Sequence, residues 1–235
     1  MNILLSNEMF FVGHVITVSA CVLAGVRLGP AGLTSFMALL TVLSNIFITK
    51  QMVIFGLSAT CADAFSVGAG LTLNMLQEYF GKIAAQQAIW ISTACLLFYL
   101  LMTQFHLAYI PSAADTMHIH AQALLESTPR IIIASLIAYF ISQQIESRLY
   151  AYFRVRFANK HFVLRNYSSL LISQLIDTIL FTGLGLYGLV ENMWHVALVA
   201  YVVKVITIAC AGPVIGFFRS IITTRPIKTI RDQAR

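Results

Sequence analysis

The chain has 235 residues, of which 59% are hydrophobic and only 10% charged, with a formal net charge of +6. An ordinary soluble domain carries about 25% charged residues, and the mean hydropathy here is +0.82, so the chain is read as an all-α integral membrane protein. A crossing takes roughly 20 apolar residues, which leaves room for several spans and none for a soluble catalytic domain.

Apolar runs broken by charged residues, Gly or Pro predict helices over 9–28, 32–49, 60–80, 86–110, 125–147, 168–190 and 194–220, about seven spans. The opening MNILLSNE has no positively charged leader region and no small-residue cleavage site follows the first run, so a removable signal peptide is not expected. Between the second and third runs, QMVIFGLSATCADAF (51–65) carries Gly56 and small polar residues that fit a bent or re-entrant entry. Cys21, Cys61, Cys95 and Cys210 are far apart and form no CxxC pair, which fits helix packing better than a metal cage, redox motif or disulfide framework.

The basic residues report topology. With the N-terminus outside, Arg27, Lys82, the cluster Arg148, Arg154, Arg156, Lys160 and Arg165, and the tail Arg219, Arg225, Lys228, Arg231 and Arg235 share the inner side, while Lys50 alone lies in an outer loop. Cytoplasmic loops retain Lys and Arg, so the loop YAYFRVRFANKHFVLR and the tail are cytoplasmic and the segments around Asp115 and Glu191 external. That loop can also meet anionic lipid headgroups. No aromatic-interleaved basic motif points to nucleic acid.

Arg130 and Lys204 fit no loop, and Asp177 lies within the sixth run. A charge at the centre of a membrane helix costs about 2.5–3.5 kcal/mol on insertion scales, so it faces a partner, the protein interior or a watery cavity. Asp177 and Lys204 each lie about ten residues from their helix starts on opposite sides, near the midplane at about 1.5 Å per residue. Ser173, Gln174 and Asp177 form a polar stripe on the sixth helix; Ser135, Tyr139, Ser142 and Gln143 fall within one arc of the fifth, where Ala134 and Ala138 admit close approach. Asn45, Lys50, Asp63 and Arg130 lie near the outer side, Arg130 either snorkelling outward or facing a cavity. Glu78, Glu126, Glu146 and Arg148 read as solvated helix ends. His118 and His120 make a weak HxH without company, and His14 and His195 read as interfacial. Nucleotide-binding, hydrolase and cofactor motifs are absent, so no enzyme and no cofactor is expected.

Ser44 and Asn45, NMLQEYFG (74–81), RIIIASLIAYFISQ (130–143), SQLIDT (173–178) and YVVK (201–204), in this order and spacing, resemble the queuosine precursor transporter family, also called the vitamin uptake transporter family, over roughly 32–220. The resemblance implies a multi-pass importer of 7-deazaguanine bases in the bacterial inner membrane, N-terminus outside and C-terminus cytoplasmic. It also implies a six-helix core (32–220) similar to the substrate-binding subunits of energy-coupling factor transporters, preceded by an additional helix (1–31) and followed by a basic tail (221–235). The family pattern marks Asn45, Arg130, Ser135, Tyr139, Gln143, Ser173, Gln174, Asp177 and Lys204 as substrate-binding. It departs at Asn74, where many relatives carry an acidic residue.

The residues fit such a substrate on chemical grounds. A deazaguanine presents adjacent N–H donors beside a carbonyl; the Asp177 carboxylate can accept from the donor edge, Gln143, Gln174 or Asn45 can meet the amide, and Tyr139 or Tyr201 can cover a ring face. For an aminomethyl cation, a second carboxylate would be useful, and few are apparent. Movement would be facilitated, ion-coupled, or driven by a partner module, with a homo-oligomer also open. The alternative is a membrane receptor or assembly subunit in which Asp177 and Lys204 form a structural lock between helices.

Overall fold

In the computed structural model the described residues are 7–125, 129–158, 160–188 and 192–223. Helices α1 (Asn7–Gly25) and α2 (Gly29–Phe47) lead into strands β1 (Gln51–Ile54) and β2 (Leu57–Thr60). Then come α3 (Asp63–Tyr79), α4 (Lys82–Ala108), the short α5 (His118–Leu125), α6 (Pro129–Arg156), α7 (Phe162–Phe181) and α8 (Met193–Thr223). α7 continues into a π-helical turn, Thr182–Leu186. Four helical stretches among the described residues are long and apolar enough to cross a membrane, the first of which, Asn7–Phe47, contains both α1 and α2; α5 with α6 makes a fifth. The chain is thus an all-α multi-pass membrane protein apart from one small hairpin.

That hairpin replaces the bent entry expected over 51–65. β1 and β2 pair antiparallel with Gln51 opposite Thr60 and Ile54 opposite Leu57. The connecting Phe55 and Gly56 have φ of 50° and 74°, the left-handed pair that a two-residue hairpin turn requires. The start of α1 fastens it: the Asn7 side-chain amide donates to the Val53 carbonyl at 3.0 Å, and the Phe55 N–H donates to Glu8 Oε1 at 3.0 Å. Because the hairpin follows the end of α2, α1 and α2 run antiparallel, reversing at Gly29, whose φ of 77° suits glycine. The rings of His14, Phe47 and Phe65 cluster at this same end.

α3 is the hub, packing against α1, α2, α4, α6, α7 and α8. It is buried without interruption from Val67 to Gln77, as a helix enclosed on every side must be. Its glycines set how close the neighbours come: a Cβ on Gly68 would stand 2.5 Å from Val18 Cγ1 of α1, and one on Gly70 2.6 Å from Leu170 Cδ2 of α7. The four cysteines are free, Cys21 exposed and Cys61, Cys95 and Cys210 half-buried.

At the end of α3 away from the hairpin, two sequence expectations are corrected. Glu78 is not a solvated helix end, because it accepts from Arg165 Nη2 at 3.0 Å and from the Tyr150 hydroxyl at 2.9 Å, with Arg154 Nε 3.8 Å away. Arg165 is not a loop cation either. It is fully buried in the first turn of α7, its guanidinium 5.6 Å and 5.7 Å from the ring centres of Tyr150 and Phe162. The predicted cytoplasmic loop shrinks accordingly, since α6 runs on to Arg156 and α7 begins at Phe162. The tail 224–235, Glu126 and Glu191 lie outside the described residues, as does the side chain of Arg219.

Removing one partner of a buried pair strands the other charge, at about 3–5 kcal/mol, whereas an exposed pair is worth about 1 kcal/mol or less. Arg165→Met should therefore sharply lower thermal stability in detergent, while Arg154→Met, at a site 38% exposed, changes it little. Equal shifts for the two variants would contradict this assignment of the buried partner.

Candidate functional site

α6 and α7 lie side by side, each carrying a polar stripe, and α3 closes the third side. Nearest the hairpin end, the Ser135 hydroxyl donates to Asn45 Oδ1 at 2.7 Å, joining α6 to α2, while the Asn45 amide donates to the Thr41 carbonyl. Both side chains line a cleft that also includes Tyr99, Thr103, Leu125 and Phe181. Arg130 sits higher still, exposed, with Nε donating to the Leu184 carbonyl at 2.8 Å in the π-helical turn.

One turn deeper on α6, the Tyr139 hydroxyl donates to Ser92 Oγ of α4 at 2.7 Å. Next comes the ion pair: Lys204 Nζ of α8 donates to Asp177 Oδ2 of α7 at 2.7 Å, and the Ser142 hydroxyl of α6 lies 3.2 Å from Asp177 Oδ1. The two charged side chains meet as matched depth on antiparallel helices requires. Lys204 keeps 9% of its side-chain surface accessible and Asp177 18%. Asp63, at the start of α3, is buried and lies within electrostatic reach of both Lys204 and Asp177.

Below the pair, the Ser66 hydroxyl of α3 donates to Gln174 Oε1 at 3.1 Å. Gln143 is buried and its Oε1 has no hydrogen-bond partner among the described residues. Deeper again, Ser173 and Ser169 of α7 donate to the two oxygens of Glu146, the latter at 2.6 Å, and Asn74 Nδ2 of α3 donates to Ser169 Oγ at 3.3 Å. Glu146, expected at a solvated helix end, is 1% exposed. Tyr201 reaches α7 through its hydroxyl, 3.2 Å from the Leu171 carbonyl, rather than through its ring face.

The predicted residues thus fall into levels along one polar interior and do not share a single cavity. Asn45 and Ser135 line the cleft; Tyr139 bonds Ser92 one turn deeper; Asp177 and Lys204 form the ion pair; Gln143, Gln174 and Ser173 lie beneath it. Sequence reasoning missed Asp63, Ser66, Ser92 and Glu146. For Glu146 a signal existed, since Ser135, Tyr139, Ser142 and Glu146 continue one helical face at i, i+4, i+7 and i+11. His118 and His120 stand on α5, and no group of three His, Cys, Asp or Glu side chains placed for a metal ion occurs among the described residues.

The ion pair makes a stability prediction. Lys204→Met should leave Asp177 uncompensated and depress folded yield in detergent by an amount in the range of about 3–5 kcal/mol. Adding Asp177→Asn should recover most of that loss, because two neutral groups need no partner; a double variant no better than the single one would show that the charges are not each other's compensation.

Comparison with known proteins agrees with this architecture. The family model described as "Putative vitamin uptake transporter" matches residues 64–218, from the start of α3 into α8. The "Probable queuosine precursor transporter" of Bacillus subtilis (strain 168) is 28% identical over 179 residues, covering 75% of this chain and 78% of that protein. No solved structure matches. With helices of membrane-spanning length and a family match over most of its length, the chain belongs to the vitamin uptake transporter family.

Proposed function

We propose that this protein imports a 7-deazaguanine base, queuine or one of its precursors, across the bacterial inner membrane, acting as a carrier and not as an enzyme. The observation that carries the reading is the Asp177–Lys204 pair. It lies one to two turns below the Asn45–Ser135 cleft on α6, with 18% of the Asp177 side chain accessible. The relative's name adds support for the substrate class.

The chemistry runs as follows. The base enters from the hairpin end, passes Arg130, Asn45 and Ser135, and its adjacent N–H donors compete with Lys204 for Asp177. A carboxylate accepts two such donors in a bidentate, charge-assisted bond. Gln143, with a buried unpartnered Oε1, and Gln174 meet the amide edge, and the Tyr139 ring covers a face of the heterocycle. Ser173 sits beneath as the floor. Lys204, freed from Asp177, keeps the site electrically balanced while the substrate is held.

Orientation follows from charge. Arg27, Lys82, Arg148, Arg154, Arg156 and Lys160 fall at the end away from the hairpin and Lys50 beside it, so the hairpin end faces outside and the other end the cytoplasm. α1–α4 and α6–α8 then make seven crossings. In this reading α1 is an addition to a six-helix core like that of energy-coupling factor substrate-binding subunits, and residues 221–235 form a cytoplasmic tail. The partners of this reading are the 7-deazaguanine substrate and the lipid bilayer, with a coupling ion, a homo-oligomer or an energising module also open.

A second reading, a receptor or assembly subunit locked by its charges, is favoured by the direct 2.7 Å contact of Lys204 with Asp177. Uptake of labelled queuine and its 7-cyano and 7-aminomethyl precursors, in cells lacking their own carrier, separates the two. Asp177→Asn combined with Lys204→Met should reach the membrane in normal amount yet lose at least tenfold in uptake, with Ser135→Ala raising the half-saturating concentration a few-fold. Full uptake by the double variant would support the structural lock instead.

A further inference from the structure

Glu146 is a buried carboxylate with a task left unassigned. It is 1% exposed, near the middle of α6, and its hydrogen-bond partners are the hydroxyls of Ser169 and Ser173, both uncharged, with the Asn74 amide donating in turn to Ser169 Oγ. The charged groups on the elements around it pair elsewhere, Arg165 through Nη2 with its Nε and Nη1 buried and unpartnered. On α3, Glu78 is held by Arg165 of α7, with Arg154 and Tyr150 of α6 beside it, and Asp63 lies near Lys204. On α7 and α8, Asp177 is held by Lys204; Tyr139 of α6 bonds Ser92. Among the described residues no cation forms a salt bridge with Glu146.

An isolated buried carboxylate is costly unless it is neutralised. The surroundings are built for both of its states. Two hydroxyl donors serve the anion, one of them backed by the Asn74 amide. For the acid, Asn74 Oδ1 and, one turn away on the same helix, Gln143 Oε1 are buried acceptors without hydrogen-bond partners. Asn74 offers a donor from one side of its amide and an acceptor from the other, so a half-turn of one side chain follows the proton.

We propose that Glu146 is the site that binds the coupling proton, which makes import a proton-linked process; the inference rests on the transport reading above. The proton arrives from the outer side with the substrate and bonds to a Glu146 carboxyl oxygen. The new O–H donates to Asn74 Oδ1 or Gln143 Oε1, and the proton leaves toward the cytoplasm when the base is released. One carboxyl oxygen gains and loses one proton per cycle, and no other bond changes. Gln143 connects the two sites, since the acceptor that would meet the substrate amide lies one helical turn from the carboxyl.

Proteoliposomes with an imposed pH gradient and labelled queuine test this. Glu146→Gln mimics the protonated state, so accumulation driven by the gradient should fall at least tenfold while exchange of labelled for unlabelled base at equal concentrations stays within about twofold of wild type. Removing the donors that favour the anion, in Ser169→Ala with Ser173→Ala, should move the half-maximal pH of uptake about one unit upward. Undiminished gradient-driven accumulation in Glu146→Gln, or wild-type uptake driven by a sodium gradient and indifferent to pH, overturns the proposal. Infrared difference spectra of purified protein between acid and alkaline buffer read the proton without any substrate. A carboxylic-acid band that titrates in the wild type and vanishes in Glu146→Gln assigns the proton site even if no deazaguanine is carried, a result that would count against the transport reading alone. Absence of that band in the wild type defeats the proton assignment.

Discussion

One bond, Lys204 Nζ to Asp177 Oδ2 at 2.7 Å, organises the interior of this bundle. Each charge alone would cost about 2.5–3.5 kcal/mol at the centre of a membrane helix, and together they fix the mutual depth of α7 and α8. A buried pair adds little net stability compared with apolar side chains of the same size. The proposed function gives the pair a further role, exchange with a ligand that offers two N–H donors.

The rest of the polar interior is graded along the helix axes. Neutral groups, Asn45 with Ser135 and Tyr139 with Ser92, lead inward from the hairpin end. The ion pair follows, then amides and serines, then Glu146, and last the Glu78–Arg165 cluster near the opposite end. α3 makes this gradation possible. Buried without a break from Val67 to Gln77, it sets Ser66 and Asn74 against α7 and Gln77 against α6. Charged clusters thus bracket a neutral stretch, an arrangement suited to a solute that must be gripped and then released.

Much of this was legible in the residues and some was not, for identifiable reasons. Apolar runs located every long helix, because the requirement for about 20 apolar residues per crossing leaves a coarse, robust imprint. Asp177 and Lys204 were legible as a pair because each lies about ten residues inside its apolar run, 168–190 and 194–220, so small errors in the bounds of the runs leave both in the interior. Glu146 and Arg165 failed that condition. α6 extends to Arg156 where the apolar pattern ends at 147, and α7 starts at Phe162 where it was expected at 168. Residues taken for loop or end groups therefore became interior ones, with Tyr150 and Phe162 supplying the ring faces that cover Arg165. The hairpin escaped notice because its turn uses Phe55 in a left-handed conformation, which no residue preference announces. Levels within the site were beyond reach from one sequence, since helical periodicity assigns faces while contacts across helices depend on rotation and packing.

The most direct measurement is calorimetric titration of the purified protein in detergent with queuine and its 7-cyano and 7-aminomethyl precursors, beside adenine as a flat base lacking their donor edge. Saturable binding of at least one deazaguanine, absent with adenine and weakened at least tenfold in Asp177→Asn, is the predicted result. A folded protein that binds none of them, or binds them equally well without the Asp177 carboxylate, would contradict the claim that this mid-membrane pair grips the substrate.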